Sequence, residues 1–424
     1  MNRVRVYSPM SKIMNYLNKR TFLKLTTIAF GMILVSSYSH ARQELAFTTT
    51  ILATYSCADS TYGTSGSYWS GNTYYGSRAD YTTKCQANHS SNKSSAVVTA
   101  TQTLRAATAQ TVGMISSRIS SIRQEAARSN SGVSLTALSL SPDLNRGEVG
   151  LAGGNASKGV GVWVQGKWTD VEYDATAFAF DGDITTGMFG IDKSFKNGRV
   201  IVGIAAGMED QDFTTTFNNG TIDGDGFMVS PYVSFNLNKA FSVDAAIGWA
   251  NMDYDTTRKD AITSEKFTGS TDGDRFFYSA VLNYNKLKKV KRGQLRLGLN
   301  AGINHSEEDK DAYTETGTTG QTVAVAASDT DVTQAKVGAE VGFLFKKVEP
   351  FVNGTWEWDT SKSDAPKVGA AQTQPTEDDS GYRLGGGLNV FLGRRATATI
   401  MYDAVYGRSD YEEHSGTARL RLDF

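Results

Sequence analysis

From about residue 159 to the C terminus, apolar residues recur at every second position. Phe227, Val229, Pro231, Val233, Phe235 and Leu237 form one series, with Gly226, Met228, Ser230, Tyr232, Ser234 and Asn236 between them. The period returns at Val200, Val202, Ile204 and Ala206, at Leu295, Leu297, Leu299, Ala301 and Ile303, and at Ala396, Ala398, Ile400, Tyr402, Ala404 and Tyr406. A period of two sends side chains to alternate faces of a strand. Here one face is apolar and the other polar or glycine, as a strand between lipid and an aqueous lumen requires. A soluble sandwich alternates too, so the period alone does not decide.

The connections decide better. Strands are predicted near 159–173, 183–195, 199–213, 223–237, 241–256, 273–286, 293–305, 331–345, 348–360, 380–392, 395–408 and 413–424. That is about twelve, an even number as closed bacterial barrels have. Tight turns at 196–198, 238–240, 346–347 and 393–394 alternate with long polar stretches at 254–272, 306–330 and 361–379. Short turns at one end and long loops at the other are a barrel signature. Trp163, Trp168, Trp249, Trp356 and Trp358 fall near strand ends, as aromatic girdles do, with core aromatics as the alternative for each.

Residues 95–128 have a different period. No proline occurs there, Gly113 is the lone glycine, and Ile115, Ile119, Ile122 and Ala126 recur at helical spacing. Such a helix spans a bilayer's thickness at about 1.5 Å per residue, yet it is too polar for lipid. It suits a barrel lumen; a periplasmic helix is the alternative. Charges at Lys167, Asp244, Arg275, Arg296, Lys336, Glu340, Glu349, Glu357, Asp403, Arg419 and Arg421 are expected to face that lumen. Acids among them would hold Arg118 or Arg123 of the helix, unless they face water in an open pore.

The first 41 residues read as an address. Arg3, Arg5, Lys12, Lys19, Arg20 and Lys24 precede the short apolar run from Leu25 to Val35. Ser39-His40-Ala41 then fits a cleavage site, giving a mature start at Arg42 after Ala41 and implying export through the Sec translocon. Met14 is an alternative start. Cys57 and Cys85 form an even pair in the exported part, so a disulfide is expected, with two free thiols as the alternative. Residues 42–94 are rich in Ser, Thr, Tyr and Gly, too poor in apolar residues to build a core of their own. They fit a disulfide-pinned surface module or a plain linker. Residues 129–158 are a linker, and 159–424 the barrel.

Composition narrows the chemistry. With 424 residues and a net charge of -1, the chain lacks the basic face that nucleic acid needs. His89, His305 and His414 are the histidines of the mature part, and His305 and Ser306, as neighbours, point to opposite strand faces. No Gly-x-Ser-x-Gly elbow occurs. Asp181-Gly182-Asp183, Asp223-Gly224-Asp225 and Asp272-Gly273-Asp274 suit calcium or lipopolysaccharide bridged by divalent ions, but turn chemistry explains them more simply. No enzyme activity, cofactor or metal is expected.

The last strand carries Ala418, Leu420, Leu422 and Phe424 on one face. A terminal aromatic behind alternating apolar residues resembles the signal read by the outer-membrane barrel assembly machinery. Together with Gln110-Thr111-Val112-Gly113-Met114-Ile115-Ser116-Ser117-Arg118-Ile119, Gly161-Val162-Trp163-Val164-Gln165-Gly166 and Asp223-Gly224-Asp225-Gly226-Phe227, it makes residues 95–424 resemble the translocator domain of type V autotransporters. The resemblance implies an all-β, antiparallel transmembrane barrel of about 12 strands in the outer membrane of a Gram-negative cell, its lumen threaded by the helix. It implies a monomer in contact with lipid and lipopolysaccharide, displaying the preceding segment at the cell surface, for adhesion in one reading. A channel for small solutes is the competing function. Family members usually carry a long β-helical passenger, whereas residues 42–94 show no solenoid repeat. Some cut the linker at an Asn-Asn pair in the helix; none stands there, so no self-cleavage is expected.

Overall fold

The computed structural model describes residues 68–70, 73–75, 94–130, 160–175, 178–195, 199–238, 240–260, 264–345, 347–363, 378–392 and 396–423, with helix side chains as far as Ser120. The expected signal-peptide site at Ala41 and Arg42, the expected Cys57–Cys85 disulfide, His89, most of the 129–158 linker and Phe424 lie outside the described residues. A short hairpin, β1 (Tyr68–Ser70) and β2 (Thr73–Tyr75), precedes the helices α1 (Ser95–Val98) and α2 (Ala100–Asn130). The strands β3 (Val160–Tyr173), β4 (Phe180–Phe195), β5 (Val200–Thr215), β6 (Gly220–Asn236), β7 (Phe241–Lys259), β8 (Lys266–Val290) and β9 (Gly293–Lys310) follow. After the hairpin β10 (Tyr313–Gly317) and β11 (Thr322–Val325) come β12 (Ser328–Leu344), β13 (Val348–Lys362), β14 (Ser380–Phe391), β15 (Ala396–Arg408) and β16 (Tyr411–Asp423). Each long strand pairs antiparallel with the next, β9 pairs with β12, and β16 pairs with β3 from Tyr411↔Tyr173 to Asp423↔Gly161. The twelve long strands therefore close into a cylinder. Closure removes the edges that an open sheet would leave with unpaired backbone groups.

Burial alternates along most of the wall. On β3, Trp163, Gln165, Lys167 and Thr169 point into the lumen, while Val162, Val164 and Trp168 point out. Val164 is 53% exposed and Met208 on β5 is 71% exposed. Around the wall the outward residues at mid-height are Phe189, Ile204, Phe227, Trp249, Leu282, Leu299, Val337 and Ile400. A continuous apolar belt of this kind is unfavourable in water and at home in hydrocarbon. The lumen carries the polar set, an inversion of the soluble arrangement. Every lumen charge expected from the period, including Lys167, Asp244, Arg275, Arg296, Glu349 and Asp403, faces inward.

The structure departs from the sequence reading at one end of the cylinder. The polar stretch 254–272 is mostly strand, and 306–330 holds the end of β9, the β10–β11 hairpin and the start of β12. The loop end also has two tight connections, at 216–219 and 409–410, where Asn219 and Asp410 adopt left-handed φ of 47° and 55°. Beyond the lipid the outward face becomes polar, with Asp253, Asp255 and Lys266, so the apolar signal stops although the hydrogen-bond ladder continues. The three Asp-Gly-Asp runs lie in this extension, within β4, β6 and β8 rather than in turns. Their aspartates point outward, and several face one another across strands: Asp212↔Asp223, Asp225↔Asp253, Asp253↔Asp272, Asp274↔Asp309 and Asp309↔Asp329. Like charges directly opposite cost stability; this arc sits above the apolar belt.

Glycines on the lumen face make room for large side chains of the neighbouring strand. A Cβ on Gly224 would lie 2.8 Å from the Tyr254 ring, one on Gly190 2.5 Å from that of Trp163, and one on Gly248 would run into that of Phe277. Trp163, expected in the outer girdle, therefore sits inside the lumen at 1% exposure, over Gly190. Trp168, Trp249 and Trp356 do face outward. Replacing Gly248 by Leu should cost about 1–3 kcal/mol by overpacking against Phe277. The measurement is the temperature at which the compact, fast-migrating form disappears from unboiled gels. An unchanged temperature would contradict the packing.

Candidate functional site: the lumen helix and its seat

A chain segment inside a barrel must satisfy its own backbone groups, because the wall's are already paired within the ladder. Helix α2 does so internally, leaving its side chains to fix its position. Its small residues, such as Ala106 and Ala107, let it fit between lumen side chains, with Val112, Ile115 and Ile119 buried in the shared core.

Three clusters hold it. In the short α1 that leads into it, Ser95 Oγ accepts a hydrogen bond from Asn218 Nδ2 at 2.9 Å, lies 2.9 Å from Thr215 Oγ1 and donates to the Thr257 carbonyl at 3.2 Å. Lys310 Nζ donates to the Ala96 carbonyl at 3.3 Å, and the Tyr313 hydroxyl from the β10–β11 hairpin meets Ser94 Oγ. Along its middle, Arg105 reaches Asp359 at 3.6 Å and lies over the Tyr411 ring at 5.2 Å. Gln110 uses its whole amide there: Nε2 donates to Thr186 Oγ1 at 2.6 Å and to the Lys167 and Ile184 carbonyls at 3.2 Å, while Thr169 donates to Oε1. Further along, Arg118 Nε donates to Asp192 at 2.7 Å. Asp192 also accepts from Tyr232 at 3.0 Å, and Tyr232 accepts from Trp163 Nε1 at 3.0 Å. Arg419 donates to Ser117 Oγ at 2.9 Å.

These contacts orient the helix. Its start lies against Thr215, Asn218 and the β10–β11 hairpin, all at the loop end. Arg118 lies against Asp192, three residues before β4 ends at the opposite, tight-turn end.

Most lumen charges named from the sequence serve the wall rather than the helix. Arg275 joins Glu209 at 2.8 Å and Glu308 at 2.6 Å; Arg296 joins Glu349 at 2.8 Å; Arg383 joins Glu413, Asp403 and Glu357 at 2.6, 2.8 and 3.0 Å. Buried charges need such partners. The acids that grip the helix, Asp192 and Asp359, were absent from the expected set. Their inward phase was readable in the alternation, but which of many inward acids meets an arginine across the lumen depends on register and on helix rotation. The side chain of Arg123 lies outside the described residues. Leu420 and Leu422 point outward from β16. His305 Nδ1 is 2.8 Å from Thr333 Oγ1 with Ser306 on the opposite face, and His414 is 2.7 Å from the Tyr402 hydroxyl. Among the described residues no group of three or more His, Cys, Asp or Glu side chains is placed to hold a metal.

A family model described as "Autotransporter beta-domain" matches residues 162–403. Among solved structures, the translocator domain of autotransporter NalP from Neisseria meningitidis is similar with a TM-score of 0.52 at 15% identity, covering 62% of this chain and 88% of that one. The beta domain of the Bordetella autotransporter BrkA is similar with a TM-score of 0.50 at 15% identity, covering 63% of this chain and all 100% of that one. At that identity the likeness is one of fold. No curated protein sequence matches.

Arg118 is wholly buried and Asp192 nearly so. Removing one partner should therefore cost about 3–5 kcal/mol, whereas replacing both with apolar residues should cost far less. Thermal unfolding of R118M, D192L and the double variant measures the coupling. Additive losses would show that the pair does not seat the helix.

Proposed function

The chain belongs to the autotransporter β-domain family, and we propose that its outer-membrane barrel carries residues 42–94 across the membrane and holds them at the cell surface on the end of α2. The barrel does no chemistry of its own in this reading. The observation that carries it is the direction of the helix. Ser94 and Ser95 lie at the loop end, beside Tyr313 and Asn218, so the chain preceding them starts from that end. Helix side chains hydrogen-bonded and ion-paired to the wall make α2 a stable tether rather than a passing segment.

The remaining parts follow the same logic. Cleavage between Ala41 and Arg42 after Sec export delivers an unfolded chain to the periplasm. Leu420, Leu422 and Phe424 on the last strand offer the assembly machinery an amphipathic edge to pair with before β16 joins β3. The apolar belt contacts lipid, with lipopolysaccharide around its outer rim. Tyrosine, serine and glycine in 42–94, pinned by a Cys57–Cys85 disulfide, supply adaptable contact chemistry suited to adhesion. No Asn-Asn pair stands between residues 95 and 130, so in this reading the tether stays uncut. The competing reading, an open channel for small solutes, is disfavoured by a helix that fills much of the lumen.

Protease added to intact cells tests the display. Residues 42–94 should be digested while 160–423 stay protected and the barrel stays in the membrane. A tag placed before residue 95 that is reached only after the outer membrane is permeabilised would overturn the proposal.

A further inference from the structure

Along one pair of strands the outward charge changes sign. At the loop end of β8 and β9 the outward residues are Asp272, Asp274, Glu307 and Asp309. Below them the outward face of β8 is apolar or small from Phe276 to Tyr284, a run of about 27 Å at the rise of a strand, close to the height of a barrel's apolar band. Phe241 of β7 packs against Tyr284 with ring centroids 5.0 Å apart, and the belt ends there. Beyond it, five of the seven residues from Lys286 to Arg292 are cations: Lys286, Lys288, Lys289, Lys291 and Arg292. All five are exposed.

Nothing nearby on the hairpin neutralises this charge. No Asp or Glu occurs from Phe276 to Ser306. The outward residues of the flanking strands at this level are Phe241 on β7 and Val341 and Phe343 on β12. Position then selects the partner. Lys286 and Lys288 stand in the outward phase of β8, directly opposite Leu297 and Leu295 of β9, each 37% exposed on the belt. The last pairing of β7 with β8 is Phe241↔Tyr284, so Lys286–Val290 pair with β9 and keep one flank open. A lysine in that place lays its methylenes along the leucines and holds its ammonium at the level of lipid phosphates.

From this we propose that the β8–β9 hairpin is a docking site for anionic phospholipid headgroups in the periplasmic leaflet, with Lys286 and Lys288 taking the phosphate. Lys289, on the opposite phase, and Lys291 and Arg292 in the turn add to the positive field, and clustered cations at a membrane surface gather anionic lipid by charge. The choice of leaflet rests on the orientation proposed above. The headgroup preference does not, and symmetric vesicles read it whether or not any segment is displayed.

The test is electron spin resonance of chain-labelled phosphatidylglycerol and phosphatidylcholine in vesicles holding the full-length protein, with unboiled-gel migration confirming that each variant is folded. The parent should restrain phosphatidylglycerol several-fold more strongly than phosphatidylcholine. Combining Lys286→Gln, Lys288→Gln, Lys289→Gln, Lys291→Gln and Arg292→Gln should bring the two lipids close to parity. Combining Lys193→Gln and Arg199→Gln, which removes exposed cations beside another tight turn of the same end, should leave most of the preference in place. A parent that treats the two lipids alike would overturn the inference. So would a preference that survives the five-fold variant, or one that the Lys193 and Arg199 changes abolish. Full-length protein that shows no lipid preference but sediments with isolated cell-wall sacculi through the same five cations would assign the hairpin to an acidic polymer instead, and would equally overturn it.

Discussion

In hydrocarbon an unpaired peptide group costs several kcal/mol, and that constraint organises this molecule. It forces β16 to find β3, because a sheet left open would expose two ladders of unpaired donors and acceptors to lipid. Once the sheet is closed, the side-chain period of two assigns one face to lipid and the other to a confined interior. The interior is then too narrow to be solvated like a protein surface and too polar to collapse. It must be filled by groups that complete one another.

Two fillers share that space. One is the wall itself, where Arg275, Arg296 and Arg383 gather the acids of neighbouring strands into closed clusters. The other is α2, whose backbone needs nothing from the wall and whose Arg105, Gln110 and Arg118 reach Asp359, strand carbonyls and Asp192 of the wall. Lumen glycines opposite Trp163, Tyr254 and Phe277 allow large rings to lie flat against the wall, keeping width for the helix. In the proposed function, holding the helix start at the loop end makes the preceding segment a tethered one. The structure thus links an ordinary requirement for paired backbone groups to a helix held in the lumen.

Much of this was legible in the sequence, and the limits are physical. Strands were visible wherever one face meets lipid, as in β6 and β12, because burial there has a period. They were underestimated above the belt, in 254–272, where the outward face turns polar and the apolar alternation is lost. Inward charges were named correctly from phase alone. Their partners were not, because Arg118 and Asp192 are 74 positions apart and meet only through the barrel's register and the helix's rotation. Trp163 was misplaced because a girdle is judged by position along a strand, whereas its facing was set by parity and by the empty space over Gly190.

The central claim is that α2 is a fixed component of the closed barrel. Hydrogen–deuterium exchange of the full-length protein in lipid nanodiscs measures this directly, since exchange protection reports local opening. Amides of residues 100–120 should be protected to the same degree as those of β4 and β6, over hours. Exchange of the helix at the rate of an exposed peptide, with the strands still protected, would contradict the account.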